Sequence, residues 1–373
     1  MSQRRATLAD VARTAGVAPS TASVVFSGRT PVADATKQRV LEAAASLGYT
    51  GPDPRAASLR RGRSGIVGVV FQGPLGTVFL DPVTRLMMDG ITDGVAPLGA
   101  ALLLLRDEPV ALDAGSVAGS VDEAPAVSPA VSPAAAASLT TAPLDAAVLV
   151  GCNPGMREQL DVLVARGVPV VVIEGDAGDH ITRITLDNTE AQEQMARHVS
   201  RLGHTRVAMV SLPRGPGLER GWLADDADVA VDVTRDRLRG FRVVFPAASV
   251  FTAAASSIDE GRLAGRVLFA DPDRRPTAVV AQSDLLAAGV IRAAEEAGLR
   301  VPHDVSVTGF DGVVVDGLAG HELTTMVQPA TDKGRAASQA IAAMLQGRDA
   351  ASFRFTCTFR EGDTTALAPG GGK

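Results

Sequence analysis

The strongest constraint on the fold is an alternation that begins at Gly65. Short, largely apolar runs recur along the chain: IVGVVF (66–71), ALLLLR (101–106), AAVLVG (146–151), VPVVVIEG (168–175), RVAMVSL (206–212), AVVAQSD (278–284) and VSVTGFD (305–311). Such runs read as strands covered on both faces. Helical stretches, such as 189–202 and 285–297, separate most of them. The alternation predicts parallel sheets with covering helices. A chain of 373 residues has room for two such units and a small additional domain.

Residues 7–48 have a different texture and read as three short helices. Thr7 is placed to cap a first helix over 8–15, with Leu8, Val11 and Ala12 on one face. Gly16 and Val17 make a turn, and Pro19 suits the first position of a second helix reaching Phe26. Asp34 opens a third helix, whose apolar face is Val40, Leu41, Ala44 and Leu47, and Gly48 stops it. A helix, a glycine turn and a second helix rich in small polar residues form a helix-turn-helix. Its second helix is slim enough for a DNA major groove about 12 Å wide. Ser20, Thr21 and Ser23 lie near that helix's start.

Charge separates along the same boundary. Net charge is −6, yet residues 1–65 hold ten Lys and Arg against four acids, a net of +6. The remainder holds 26 against 38, a net of −12. A basic head on an acidic body is the electrostatic footprint of a polyanion-binding module, although Arg60, Arg61 and Arg63 also suit a solvated linker.

Two stretches interrupt the alternation. Residues 109–143 contain 11 Ala, 5 Pro and 5 Ser with no Lys or Arg, and are expected to be a mobile low-complexity loop. Residues 213–236 read as a second insertion.

Several function classes lose support. Aromatics are only 3%, too few for stacking platforms on single-stranded nucleic acid. Cys152 and Cys357 form no C-x-x-C pair, and the five histidines show no metal-ligand spacing. No G-x-G-x-x-G follows a strand, and neither a P-loop nor G-x-S-x-G is present, so no enzyme activity, cofactor or metal is expected. No apolar run approaches a membrane span, and the first residues lack the apolar core of a signal peptide, so the expected location is the cytoplasm.

The motifs together resemble the lactose/galactose-repressor family of transcription regulators. The resemblance runs through TLADVARTAGVAPSTASVVFSG (7–28), VLEAAASLGY (40–49), PDPRAASLRRGRSGIVGVV (52–70), LDN (186–188), RLGHTRVA (201–208) and RLRGF (237–241). It continues through 283–311 and LTTMVQP (323–329). It implies an all-α helix-turn-helix head (1–51), a hinge helix or linker (52–65) and an α/β core of two Rossmann-like lobes, like a periplasmic sugar-binding protein. The expected lobes are 66–187 with about 330–352, and 188–329 with about 353–368. It further implies a homodimer on a pseudo-palindromic double-stranded operator, most often as a repressor, controlled by a small effector of the sugar, polyol or nucleoside class.

Carried over by position, the resemblance implies that Ser20 and Val24 face bases. Thr7, Thr21, Ser23, Thr36 and Tyr49 would lie near phosphates. Ala56 and Leu59 would belong to the hinge helix, with Leu59 as a minor-groove wedge. Gln72, Glu174, Arg237, Ser283 and Asp311 would contact effector, with Arg237 and Asp311 suiting vicinal hydroxyls. Three departures stand out. Ala18 and Ala33 replace capping serines, Val24 stands where many relatives have Arg, and the cleft's aromatic position falls near Ser256, with Phe251 a substitute. Two rival readings remain: an exported solute-binding protein, and a binding module with a degenerate head.

Overall fold

The computed structural model describes residues 6–27, 30–51, 62–72, 75–107, 138–151, 156–215, 217, 219–316, 318 and 320–369. Ala56, Leu59, Cys152 and residues 108–137 of the alanine-rich stretch lie outside the described residues. The chain divides into two compact units, Met1–Gly65 and Ile66–Lys373.

The first unit holds α1 (Leu8–Thr14), α2 (Pro19–Ser27) and α3 (Asp34–Ser46). Thr7 and Asp10 form a reciprocal cap on α1. The Thr7 hydroxyl oxygen accepts from the Asp10 N–H at 3.3 Å, and the Asp10 carboxylate accepts from the Thr7 N–H at 3.1 Å. α1 ends in left-handed Gly16, whose N–H reaches the Arg13 carbonyl while the Val17 N–H reaches that of Ala12. Ala33 makes no side-chain cap on α3, as its missing hydroxyl predicts. The core is Val11, Ala12, Ala15, Ala22, Val40, Ala43 and Ala44, so the three helices pack through small side chains. Phe26 and Tyr49 close one side, edge to face at 5.3 Å.

The second unit is doubly wound twice. Its first lobe runs β1 (Ile66–Gln72), α4 (Pro82–Val95), β2 (Ala101–Asp107), β3 (Ala146–Val150), α5 (Met156–Ala165), β4 (Val170–Ile173) and β5 (Thr182–Leu186). The chain then enters the second lobe with α6 (Asn188–Arg201), β6 (Val207–Ser211), β7 (Gly221–Trp222), α7 (Asp232–Val244), β8 (Ser249–Thr252) and α8 (Ile258–Phe269). β9 (Ala278–Ala281), α9 (Asp284–Glu296), β10 (Ser306–Asp311) and β11 (Thr324–Val327) complete that sheet's parallel strands. α10 (Ala330–Leu345) and β12 (Phe353–Phe355) return to the first lobe, and β13 (Thr358–Arg360) to the second.

The sheet orders are β12-β5-β4-β3-β1-β2 and β13-β11-β10-β9-β6-β8-β7. The first is parallel throughout; the second carries antiparallel edges at β7 and β13. In each sheet the strand order reverses once, between β1 and β3 and between β6 and β9. Such switch points open a crevice beyond the carboxyl ends of the strands.

Helices cover both faces of each sheet, and glycines let some of them touch backbone to backbone. α4 and α10 cross where a Cβ on Gly334 would lie 2.1 Å from the Met87 carbonyl oxygen. Gly334→Ala should therefore destabilise the core by about 3 kcal/mol, the upper end of ordinary overpacking costs. A urea midpoint unchanged from wild type would show that this crossing can open.

Four boundaries differ from the sequence expectations. Phe353–Phe355 pairs with Ile184–Leu186, so the final return to the second lobe falls after 355 and not at 353. Within 138–143 of the expected loop, Leu139 and Ala142 pack against the first lobe's core. Leu139 is buried, and Arg166 donates to the carbonyls of Leu139 and, at 2.6 Å, Ala142. The stretch 213–236 is no plain insertion, since Gly221–Trp222 pairs with β8 and α7 starts at Asp232. Finally, β5, β8 and β11 add strands that the apolar runs did not mark. Among the described residues, no helix is long and apolar enough to cross a membrane.

Candidate functional site

In the head, Ala22 of α2 is buried and Ser20 is exposed. Ser20, Ser23 and Val24 follow helical spacing, with Ser23 and Val24 half-buried, and the Ser27 hydroxyl donates to the Val24 carbonyl at 3.1 Å. This gives a stripe of short side chains on one helix, beside Thr21. Thr7 and Thr36 lie at the starts of α1 and α3, whose positive dipole ends favour anions. Tyr49 follows α3, half-buried against Phe26.

In the core, the carboxyl ends of the strands bring polar side chains from both lobes into one closed ring. Glu174 follows β4, and Lys333 of α10 donates to its Oε1 at 2.7 Å. The Lys333 ammonium also donates to Gln328 Oε1 at 2.6 Å. The Gln328 amide donates to Asp311 Oδ1 at 2.6 Å, and the Arg237 guanidinium lies 3.5 Å from that same oxygen. Arg237 Nε donates to Asn188 Oδ1 at 2.9 Å, and Asn188 Nδ2 donates back to Glu174 Oε2 at 3.1 Å. Arg237 is held further by the Gln282 carbonyl and by the Phe310 ring, 3.6 Å from its Cζ.

The backbone is strained where the ring is anchored. Glu174 and Asp311 have φ of 57° and 119°, and they are the only non-glycine residues with positive φ among the described residues. Such conformations persist where the surroundings over-determine them, often at binding sites. The ring also meets the points where the chain changes lobes. Asn188 starts α6 and Gln328 follows β11. Beside them, the Asp187 carboxylate accepts from the Cys357 N–H at 2.8 Å.

The acids here are perturbed. Burial, aided by Asp284 and Asp81 and opposed by Arg237, pushes the Asp311 carboxyl up to about 8. Burial likewise raises Asp284 to about 6, although Thr325 and the Val313 N–H bond its charged form. Asp81, the cap of α4, is also raised by burial. A folded state that keeps a proton released on unfolding loses stability as pH rises. Burial lowers the His198 and His204 imidazoles, which opposes this below their unfolded value, so core stability should fall between about pH 6.5 and about pH 8, at most about 1.4 kcal/mol per unit per group. Urea titrations across that window read the slope, and Asp311→Asn should flatten it above about pH 6. A wild-type slope of the opposite sign would contradict the burial of these acids.

The five expected effector residues are not equivalent. Arg237, Asp311 and Glu174 share the ring, but both Glu174 oxygens are already bonded within the protein. Ser283 caps α9, accepting from the Leu286 N–H at 3.2 Å and from the Ser256 hydroxyl at 2.9 Å. Gln72 ends β1 at the switch point of the first sheet. Asn188, Gln328 and Lys333 were missed as site residues. The first two lay inside quoted motifs, whereas Lys333 sits in a helix with no local signal. His204 is structural, its ring nitrogens 3.0 Å from the Thr277 hydroxyl and from the Ala366 carbonyl.

Comparison with known proteins accounts for both units. The profile for bacterial regulatory proteins of the lacI family matches residues 7–51, and that for a periplasmic binding protein-like domain matches 196–365. An HTH-type transcriptional regulator of Mycobacterium tuberculosis is 30% identical over 349 residues, 90% of each chain. Among solved structures, the lac repressor dimer bound to operator and the anti-inducer ONPF aligns with a TM-score of 0.74 at 20% identity, covering 97% of this chain and 100% of that one. The complex of the regulator CelR with cellobiose aligns at 0.62 and 22% identity, covering 96% and 100%. At those identities the structures speak for the fold alone. The sequence relative spans head and core together, and on that ground the chain belongs to the LacI family of bacterial regulatory proteins, as a DNA-binding transcriptional regulator and not an enzyme.

Proposed function

We propose that this regulator is a cytoplasmic homodimeric repressor that binds a pseudo-palindromic operator and responds to a small polyhydroxylated effector held between its lobes. The observation that carries the reading is the polar ring, built from both lobes on a chain that also bears a basic head. Arg237 offers a planar donor fork and the largely protonated Asp311 carboxyl a hydroxyl donor beside an acceptor oxygen, a set that suits vicinal hydroxyls. Glu174, Ser283 and Gln72 complete the contact set. Two solved proteins of this fold carry such partners, one operator and anti-inducer and the other cellobiose.

In the head, Ser20 and Val24 read base edges, and Val24 suits a thymine methyl. Thr7, Thr21, Ser23, Thr36 and Tyr49 hold the backbone. Ala56 and Leu59 form a hinge helix on DNA, with Leu59 wedging into the minor groove. The test is an anisotropy titration of DNA from the protein's own upstream region against a shuffled fragment. With six to ten phosphates neutralised, affinity should fall by about 10³–10⁵ between 50 and 200 mM salt. A flat salt dependence, or equal affinity for the two fragments, would refute the reading.

A further inference from the structure

The ring contains one charged side chain beyond the expected effector set. Lys333 projects from the first turn of α10, and its side chain is only 3% exposed. An isolated ammonium at such a site would be costly. This one is matched by the Glu174 carboxylate at 2.7 Å and the Gln328 amide oxygen at 2.6 Å. Arg237 is engaged as well, by Asn188 and the Gln282 carbonyl, with the Asp311 carboxyl, held largely protonated by burial, 3.5 Å away. The donors of both cations are thus engaged from within, and Lys333 alone sits on a carboxylate, that of Glu174. Asp81 and Asp284 add negative potential, since both act on Asp311. An incoming phosphate or carboxylate would have to displace Glu174 or Asp311 and bring a further negative charge into a buried site.

We propose that Lys333 is a specificity-determining residue of the cleft: held on Glu174 and Gln328, it presents no free ammonium and so disfavours phosphorylated and carboxylated compounds against uncharged ones. The inference rests on the cleft being the effector site. Its physical content is a charge match, which can be tested without knowing the effector.

The probe is inorganic phosphate, titrated calorimetrically at constant ionic strength into the full-length protein. Wild type, Glu174→Gln and the double variant Glu174→Gln with Lys333→Met are compared. Phosphate taken up by the basic head is common to all three. Glu174→Gln frees the ammonium, and its cleft should bind phosphate at least about tenfold more tightly than wild type. The double variant should lose that gain. No gain in the single variant, or a gain that survives removal of Lys333, overturns the proposal.

A second arm uses thermal shifts with glucose, glucose 6-phosphate and glucuronate. Stabilisation of wild type by either anion, lost in Lys333→Met, also overturns it. Should Glu174→Gln not fold, Lys333→Gln serves instead. Glu174 is then unmatched, so glucosamine should gain on glucose at least about threefold, and no change overturns the proposal. Failure of the effector reading appears elsewhere, as sugars that leave the operator titration unmoved; the phosphate arm does not depend on it.

Discussion

Removal of residues 1–65 is expected to abolish specific operator binding, a loss of at least about 10³-fold, while the remaining core keeps its fold. Three observations set the size of this effect. The head is a separate compact unit with its own buried cluster. It carries a net +6, whereas the rest of the chain carries −12. A polyanion gains its binding energy from phosphate neutralisation, and the core alone repels it. The check is anisotropy on the upstream fragment beside a urea melt of the truncated chain. Retained binding would place the DNA surface on the core. Loss of cooperative unfolding would mean that the head is needed to fold it.

The second large effect is expected from Arg237→Ala. This guanidinium is the ring's hub, touching Asn188, Asp311, the Gln282 carbonyl and the Phe310 face. Its removal opens the ring and strips the cleft of its planar donor. Effector response should vanish, while operator affinity stays within about threefold, as the proposed placing of affinity and response on different units requires. Core stability should also fall. Breaking a buried pair costs about 3–5 kcal/mol when the abandoned charge stays ionised. Here the cost should approach the lower figure, because burial already raises the Asp311 carboxyl and lets it accept a proton. Melting at about pH 6 and about pH 8 separates these terms, with the deficit larger at the higher pH.

Much of this architecture was legible in the sequence. The seven apolar runs all became strands, because strands buried on both faces must be apolar throughout. β5 escaped for the complementary reason. In Thr182–Leu186, burial alternates, and Arg183 and Thr185 break the apolar run. β12 and β13 are three-residue edges whose pairing is decided by tertiary contact. The head was readable to its caps, since Thr7, Gly16 and Ala33 act through local geometry.

The cleft was readable only in part. Glu174, Arg237 and Asp311 fell in recognisable strand ends and motifs. Lys333 could not be found that way, because its partner Glu174 lies 159 positions away in the chain. Nor could sequence show that Ser283 is engaged as a helix cap, with its hydroxyl bonded to Leu286 and Ser256. The glycine crossing of α4 and α10 was equally hidden, since each glycine matters only through the other helix's backbone.

The proposed function requires that the cleft and the head be distinct sites that communicate. The most direct measurement is an operator titration, with and without each member of a panel of mono- and disaccharides, on wild type and Arg237→Ala in parallel. At least one sugar should change wild-type operator affinity by about 5–150-fold, the usual range of coupling between sites. The same sugar should leave Arg237→Ala unchanged, with its sugar-free affinity intact. If Arg237→Ala instead loses operator binding as completely as the headless chain, with its core still folded, the separation of sensor from reader is wrong.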